Sequence, residues 1–202
     1  MIIVVEGPSA AGKTTWARRF APELVVSESR PMNRPPSESA AAARYWADLG
    51  SDRWVEAERI ERTHAIAVCD TDPLKLHYAW SLWRIGELDE ADLRRQIVAY
   101  REAVAEGRLG FADRYYVKFP AADVLAERKA RDASRGRRNF ALHVRLGDPM
   151  QEWYGAIEEL RPGSVVWSYP ARLPGRLPRQ TDQWPGDIVT FDRLTERLIG
   201  GP

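Results

Sequence analysis

The sequence predicts an α/β fold, a parallel five-stranded sheet with helices on both faces. Three observations predict it. Short apolar runs alternate with stretches of helical period along the chain, the pattern of strand–helix–strand units. The strand candidates are continuous apolar runs, such as Ile2-Ile3-Val4-Val5, which suit a sheet covered on both sides. Polar residues able to do chemistry fall just after strand candidates at three places, 7–14, 28–30 and 70–72. A parallel sheet gathers its ligands at those carboxyl ends.

Taken in order, the first strand spans 2–6, and the helix after it runs from Lys13 to about Phe20. A short second strand at 23–27 ends in Glu28-Ser29-Arg30. The stretch RPMNRPPSES is rich in proline and is a loop. Ser37-Glu38-Ser39 and an alanine run start a helix that reaches about Leu49, and Ser51 is placed to cap another helix carrying Trp54 and Val55. HAIAVCD, 64–70, is a buried strand that begins at His64 and runs into acids; Pro73 then suits a helix start. Leu93, Ile97, Tyr100 and Val104 recur at helical spacing, and Gly107 closes that helix. LGFADRYYVKFP is the fourth strand, ended by Pro120, with a helix over about 121–130. RKARDASRGRRN is basic and interrupted by Gly136. Met150, Trp153, Tyr154, Ile157 and Leu160 make one helical stripe, most simply core. SVVWSYP is the last strand, and a short helix at about 191–199 follows an irregular Pro/Gly stretch.

Composition narrows the function classes. The 202 residues, 44% apolar, are enough for one domain spanning 1–202, with a helical insert at about 37–63 and a lid at about 128–140. A net charge of +1 lacks the concentrated basic surface of a nucleic-acid binder. The one cysteine, Cys69, allows no intrachain disulfide and suits a reducing, cytoplasmic setting. No apolar run approaches transmembrane length, and the chain enters a strand at once, without a signal peptide. The expected partner is a small-molecule acceptor, with no nucleic acid and no membrane, the chain acting alone or as a homodimer.

The most specific stretch is GPSAAGKTT, 7–15. Gly7 and Gly12 bracket it, and glycine takes positive φ without a Cβ penalty. A tight strand-to-helix turn can aim several N–H groups at an anion, and the helix beginning near Lys13 adds the positive end of its dipole. Gly7, Ser9, Ala10, Ala11, Gly12, Lys13, Thr14 and Thr15 are therefore the expected phosphate cradle. Lys13 supplies a charge for the β- and γ-phosphates, and the Thr14 hydroxyl is placed for Mg²⁺. G-x-x-x-x-G-K-T between a strand and a helix is the Walker A pattern; the bland alternative is a glycine-rich turn that binds nothing.

Other candidates follow from position. Asp70 ends a buried strand, where a carboxylate needs a partner or a metal, and Mg²⁺ is the simplest. Asp72 shares that role, faces the acceptor, or caps the next helix. Glu28 is the other strand-end acid, able to orient a hydroxyl and take its proton. The basic stretch sets Arg128, Lys129, Arg131, Arg135, Arg137 and Arg138 against only Asp132. Closed over a triphosphate, Arg131, Arg135 and Arg138 would neutralise the transferring group; the competing readings are a solvated helix face or a local nucleic-acid contact. Arg30, Trp46, Arg53, His77 and Trp80 are acceptor-side candidates. The three histidines, His64, His77 and His143, show no metal-ligand spacing.

With GPSAAGKT, a strand-end acid at Glu28, DTD at 70–72 and RDASRGRR, the chain resembles the P-loop small-molecule kinases, the nucleoside and nucleotide kinases with ribosylnicotinamide kinases close by. The resemblance covers most of 1–170 in element order, and only the Walker motif is highly specific. It implies a three-layer P-loop NTPase fold with an Arg-rich lid, ATP and Mg²⁺ as cofactors, and Glu28 as base by likeness to deoxynucleoside kinases. Those kinases carry acid-Arg-Ser where this chain has Asp70-Thr71-Asp72, a pattern nearer the ribosylnicotinamide kinases. There the acid at that strand end is the base, so Glu28 and Asp70 both stand for that role. The reading that follows is transfer of the ATP γ-phosphoryl group to a hydroxyl of a nucleoside-like small molecule. Its variants are a nucleoside monophosphate kinase and, in a different class, a nucleotide-dependent regulatory ATPase or switch.

Overall fold

The computed structural model describes residues 1–28, 34–131, 139–173, 175 and 186–200. Five strands form one all-parallel sheet: β1 (Ile2–Glu6), β2 (Val25–Val26), β3 (Ala67–Asp70), β4 (Arg114–Val117) and β5 (Val165–Val166), in the order β2-β3-β1-β4-β5. β1 is central because its side chains are apolar on both faces. Ile2 and Val4 enter one buried cluster and Ile3 and Val5 the other, as expected of a strand whose successive side chains point to opposite faces. The predicted α/β, five-stranded parallel architecture is the one observed.

Eight helices are present among the described residues: α1 (Lys13–Phe20), α2 (Ser39–His64), α3 (Leu76–Arg84), α4 (Glu90–Ala105), α5 (Ala122–Arg131), α6 (Phe140–Arg145), α7 (Gly147–Leu160) and α8 (Asp187–Ile199). α7 buries Met150, Trp153, Tyr154 and Ile157, the stripe expected of it.

Several elements differ from the sequence expectation. The two helices predicted on either side of Gly50-Ser51 are one helix, α2, of 26 residues. Ser51 satisfies its hydroxyl on the Ala47 carbonyl, 3.0 Å away inside the helix, instead of capping a new one. Gly50 is there for contact: a Cβ would stand 2.5 Å from the Pro73 carbonyl oxygen, so glycine lets α2 press against the chain leaving β3. His64 ends α2 and does not open a strand; Ala65, at φ 65°, turns the chain before β3 begins at Ala67. β4 and β5 are shorter than their apolar runs, because only 114–117 and 165–166 have a neighbour to pair with. α8 begins at Asp187, four residues before the start read from the sequence.

This order puts the chain exits of β1, β2 and β3 side by side at one edge of the sheet. The loop at 7–12, Glu28 and Asp70-Thr71-Asp72 all lie at those carboxyl ends, and α2 crosses the same edge through Gly50 and Arg53.

Candidate active site

The loop between β1 and α1 is wound by three residues of positive φ, Gly7 (151°), Ala10 (72°) and Gly12 (101°). Gly7 admits no side chain: a Cβ would lie 2.3 Å from the Lys118 carbonyl oxygen at the end of β4. The loop is thus clamped between two strand ends, and as a glycine-containing turn leading straight into the first turn of α1 it is placed where a helix N-terminus can hold an anion. Lys13 folds back over the loop, its Nζ donating to the Gly7 carbonyl at 2.5 Å and lying 3.6 Å from Glu6 Oε1. Thr14 donates its hydroxyl to Asp70 Oδ2 at 2.6 Å, tying the loop to β3. The other Asp70 oxygen is buried and has no hydrogen-bond partner among the described residues. A hydroxyl and a carboxylate side by side, with one carboxylate oxygen unspent, are hard oxygen donors that fit Mg²⁺.

Around the loop, Trp16 of α1 packs against Phe20, Tyr116 and Tyr169 and donates its indole N–H to the Pro170 carbonyl at 2.6 Å. Tyr169 in turn donates to the Glu6 carbonyl at 2.9 Å. From the far side, Arg128 of α5 reaches the Ala11 carbonyl at 3.2 Å. Arg131 pairs with Glu127 on its own helix and stands in solvent. Arg135 and Arg138 fall outside the described residues, as does Arg30 on the acceptor side.

A cavity of about 510 Å³ opens beside the loop. Its polar wall carries Glu6, Lys13, Glu28, Arg53, Lys75 and His77; its apolar wall carries Trp46, Leu49, Leu82, Tyr100 and Met150, with Gln96 of α4 among them. Trp46, Arg53 and His77 are thus brought to one space with the phosphate loop. Trp80 is not: it is fully buried and packs against Trp153 in the core, 5.8 Å between ring centroids. Asp72 is also absent from the wall. It is 1% exposed, accepts from the Leu74 amide at 2.9 Å and from the Tyr154 hydroxyl at 3.2 Å, and caps the turn into α3.

The acids around the loop are held differently. Burial pushes the Glu6 carboxyl up, but Lys13 and a hydrogen bond from His77 outweigh it and hold Glu6 well below the carboxylate range. Glu6 also receives the amides of Gly7 and Asp72, at 2.8 and 3.0 Å. Burial raises Asp70, with Thr14 and Lys13 opposing in part. Burial raises Asp72 to about 6 against the pull of His77. Glu28 is lowered: Lys75 Nζ, 2.5 Å away, outweighs the effect of burial. Glu28 is therefore an ionised carboxylate on the cavity wall, whereas Asp70 is turned to Thr14.

Sequence reasoning passed over Glu6 and Gln96, and it gave Lys75 and Arg128 no contact of their own. Glu6 alone left a signal, a charge inside an apolar strand run, which demands buried partners. Gln96 and Arg128 depend on helix rotation and docking, which no local pattern reports.

No family model matches this sequence, and no curated protein matches it. Among solved structures, a deoxyadenosine kinase from M. mycoides with bound dATP is similar, at a TM-score of 0.51 and 18% identity over 83% of this chain and 91% of that one. A structure of the M. mycoides enzyme with dCMP and a flexible dCDP as products aligns over 100% of both chains, at a TM-score of 0.53 and 15% identity. At these identities the likeness is one of fold: this chain shares with those structures a parallel α/β sheet covered by helices.

Proposed function

We propose that this protein is an ATP-dependent phosphotransferase that moves the γ-phosphoryl group of Mg-ATP to a hydroxyl of a nucleoside-like small molecule. The observation that carries this reading is the single cavity shared by Lys13 of the phosphate loop and the Glu28 carboxylate. A donor held by the loop and an acceptor held by the apolar wall would meet between those two groups, the positioning that phosphoryl transfer chiefly requires. The likeness in fold to kinases acting on deoxynucleosides supports the acceptor class.

Each residue then has a part. The loop amides and Lys13 bind the phosphates; Lys13, now spending its donors on Gly7 and Pro8 carbonyls, would exchange them for phosphate oxygens. Thr14 and Asp70 would hold Mg²⁺, which when bound neutralises charge on the phosphates. Glu28 orients the acceptor hydroxyl and takes its proton, and Lys75 keeps that carboxylate ionised and aimed. Asp70 is the poorer base because its carboxylate is engaged by Thr14 and is not on the cavity wall. Arginines of 128–140 would close over the phosphates and exclude water.

The test is ADP release from Mg-ATP with a panel of nucleosides, nucleoside monophosphates, ribosylnicotinamide and hydroxylated natural products. Strong stimulation by one compound supports the reading and identifies the acceptor; slow hydrolysis that no compound stimulates favours a regulatory ATPase.

A further inference from the structure

One part of the cavity wall is over-supplied with donors. Arg53 enters from α2, is 5% exposed, and spends its Nε on the Ser27 carbonyl at 3.2 Å. Its Nη2 donates to the Asp70 and Thr71 carbonyls at 2.7 and 2.8 Å. Nη1 is buried and has no partner among the described residues, and no carboxylate there lies within ion-pair reach of Arg53. Thr71, beside it, is 4% exposed, and its hydroxyl is also buried without a partner.

The Thr71 backbone adds a second, independent observation. Its φ is 72°, a conformation that a β-branched residue adopts only under constraint. Its amide donates to the Val5 carbonyl at 3.1 Å and its carbonyl accepts from Arg53, so it is pinned between β1 and α2. Glycine would take that φ freely; a threonine there keeps a buried, unspent hydroxyl at a cost in strain. Tying strand ends together would need only the three donors already used on carbonyls. The two N–H groups of Nη1 and the Thr71 hydroxyl remain unspent on two residues that line a largely apolar cavity, and a cation that meets only neutral carbonyls is best completed by negative charge.

We propose that Arg53 and Thr71 form a subsite that takes an anionic oxygen, of a carboxylate or a phosphate, carried by the acceptor. This rests on the acceptor reading of the cavity given above and narrows it: the acceptor presents a hydroxyl toward Glu28 and an anionic group toward Arg53. Uncharged nucleosides are then the weaker ligands.

The experiment compares three probes with one aromatic body, benzyl alcohol, benzoate and phenyl phosphate, titrated calorimetrically into the full chain with Mg-ADP present and absent. Mg-ADP fills the phosphate loop, so an anion bound there is displaced. At least one anion is expected to bind roughly tenfold or more tightly than benzyl alcohol, as a charge-assisted hydrogen bond supplies, with Mg-ADP present as well as absent. Which anion is preferred distinguishes a carboxylate from a phosphate ligand. Arg53→Gln should abolish the preference. Should that variant fail to fold, Thr71→Val should weaken the preferred anion several-fold while Thr71→Ser retains it. Equal binding of the three probes, no binding of either anion, loss of the preference when Mg-ADP is bound, or an unchanged preference in Arg53→Gln or Thr71→Val would each overturn the proposal. Failure of ADP itself to bind would count against the kinase reading and leave the probe comparison legible without nucleotide.

Discussion

Replacing Asp72 by asparagine should stabilise the protein at neutral pH. The carboxyl is buried, and its pKa is raised from 3.8 to about 6. A carboxyl whose folded pKa lies above its unfolded one binds more protons when folded. Its contribution is fully present below about pH 4 and is lost as pH rises through about 6. The interval of roughly two units corresponds to about 3 kcal/mol of penalty for holding the ionised form at pH 7. Asparagine has the same shape, can still accept from the Leu74 amide, and can donate to the Tyr154 oxygen. Reversing the Tyr154 bond costs about 1 kcal/mol, so Asp72→Asn should gain about 1–3 kcal/mol at pH 7. Urea unfolding followed by tryptophan fluorescence, run near pH 7 and near pH 4, reads both effects. A variant less stable than wild type by more than about 1 kcal/mol at pH 7, or a difference identical at both pH values, would refute the reasoning.

Two further outcomes are expected. Lys75→Met should move the acid limb of kcat/KM to higher pH, because Glu28 works ionised and Lys75 lowers its pKa. The pair is partly exposed, so the shift should be under about one unit, and a limb that stays put or moves down would sever Lys75 from Glu28. Gly7→Ala should cost about 2 kcal/mol or more in urea unfolding and weaken ADP binding, since its Cβ would meet the Lys118 carbonyl at 2.3 Å in a loop with φ at 151°; unchanged stability and affinity would show that the loop is not clamped as described.

Much of the fold was legible because it rests on period and composition. The β1 run, the helix after Gly12 and the α7 stripe are local patterns, and each stands where its pattern placed it. What was misread depended on tertiary contact. Gly50-Ser51 looks like a helix break, yet the glycine serves the approach to Pro73 and the serine bonds within its own helix. In the site, Lys13, Thr14, Glu28 and Asp70 were legible from motif and strand-end position, and their mutual geometry was not. The Thr14–Asp70 and Lys75–Glu28 bonds span 56 and 47 residues. Trp80 and Trp46 are indistinguishable as sequence; only the packing of α3 on α7 sends the first to the core, while α2 brings the second to the cavity.

The proposed reaction requires Lys13 and its loop to hold a nucleotide whose phosphoryl group passes to a small molecule in the adjoining cavity. The most direct measurement is acceptor-stimulated ADP release from Mg-ATP by wild type and by Lys13→Ala, with circular dichroism to show that both are folded. Stimulated turnover is expected in wild type and should fall by orders of magnitude in a folded Lys13→Ala protein. Turnover in Lys13→Ala equal to that of wild type would contradict the proposed reaction.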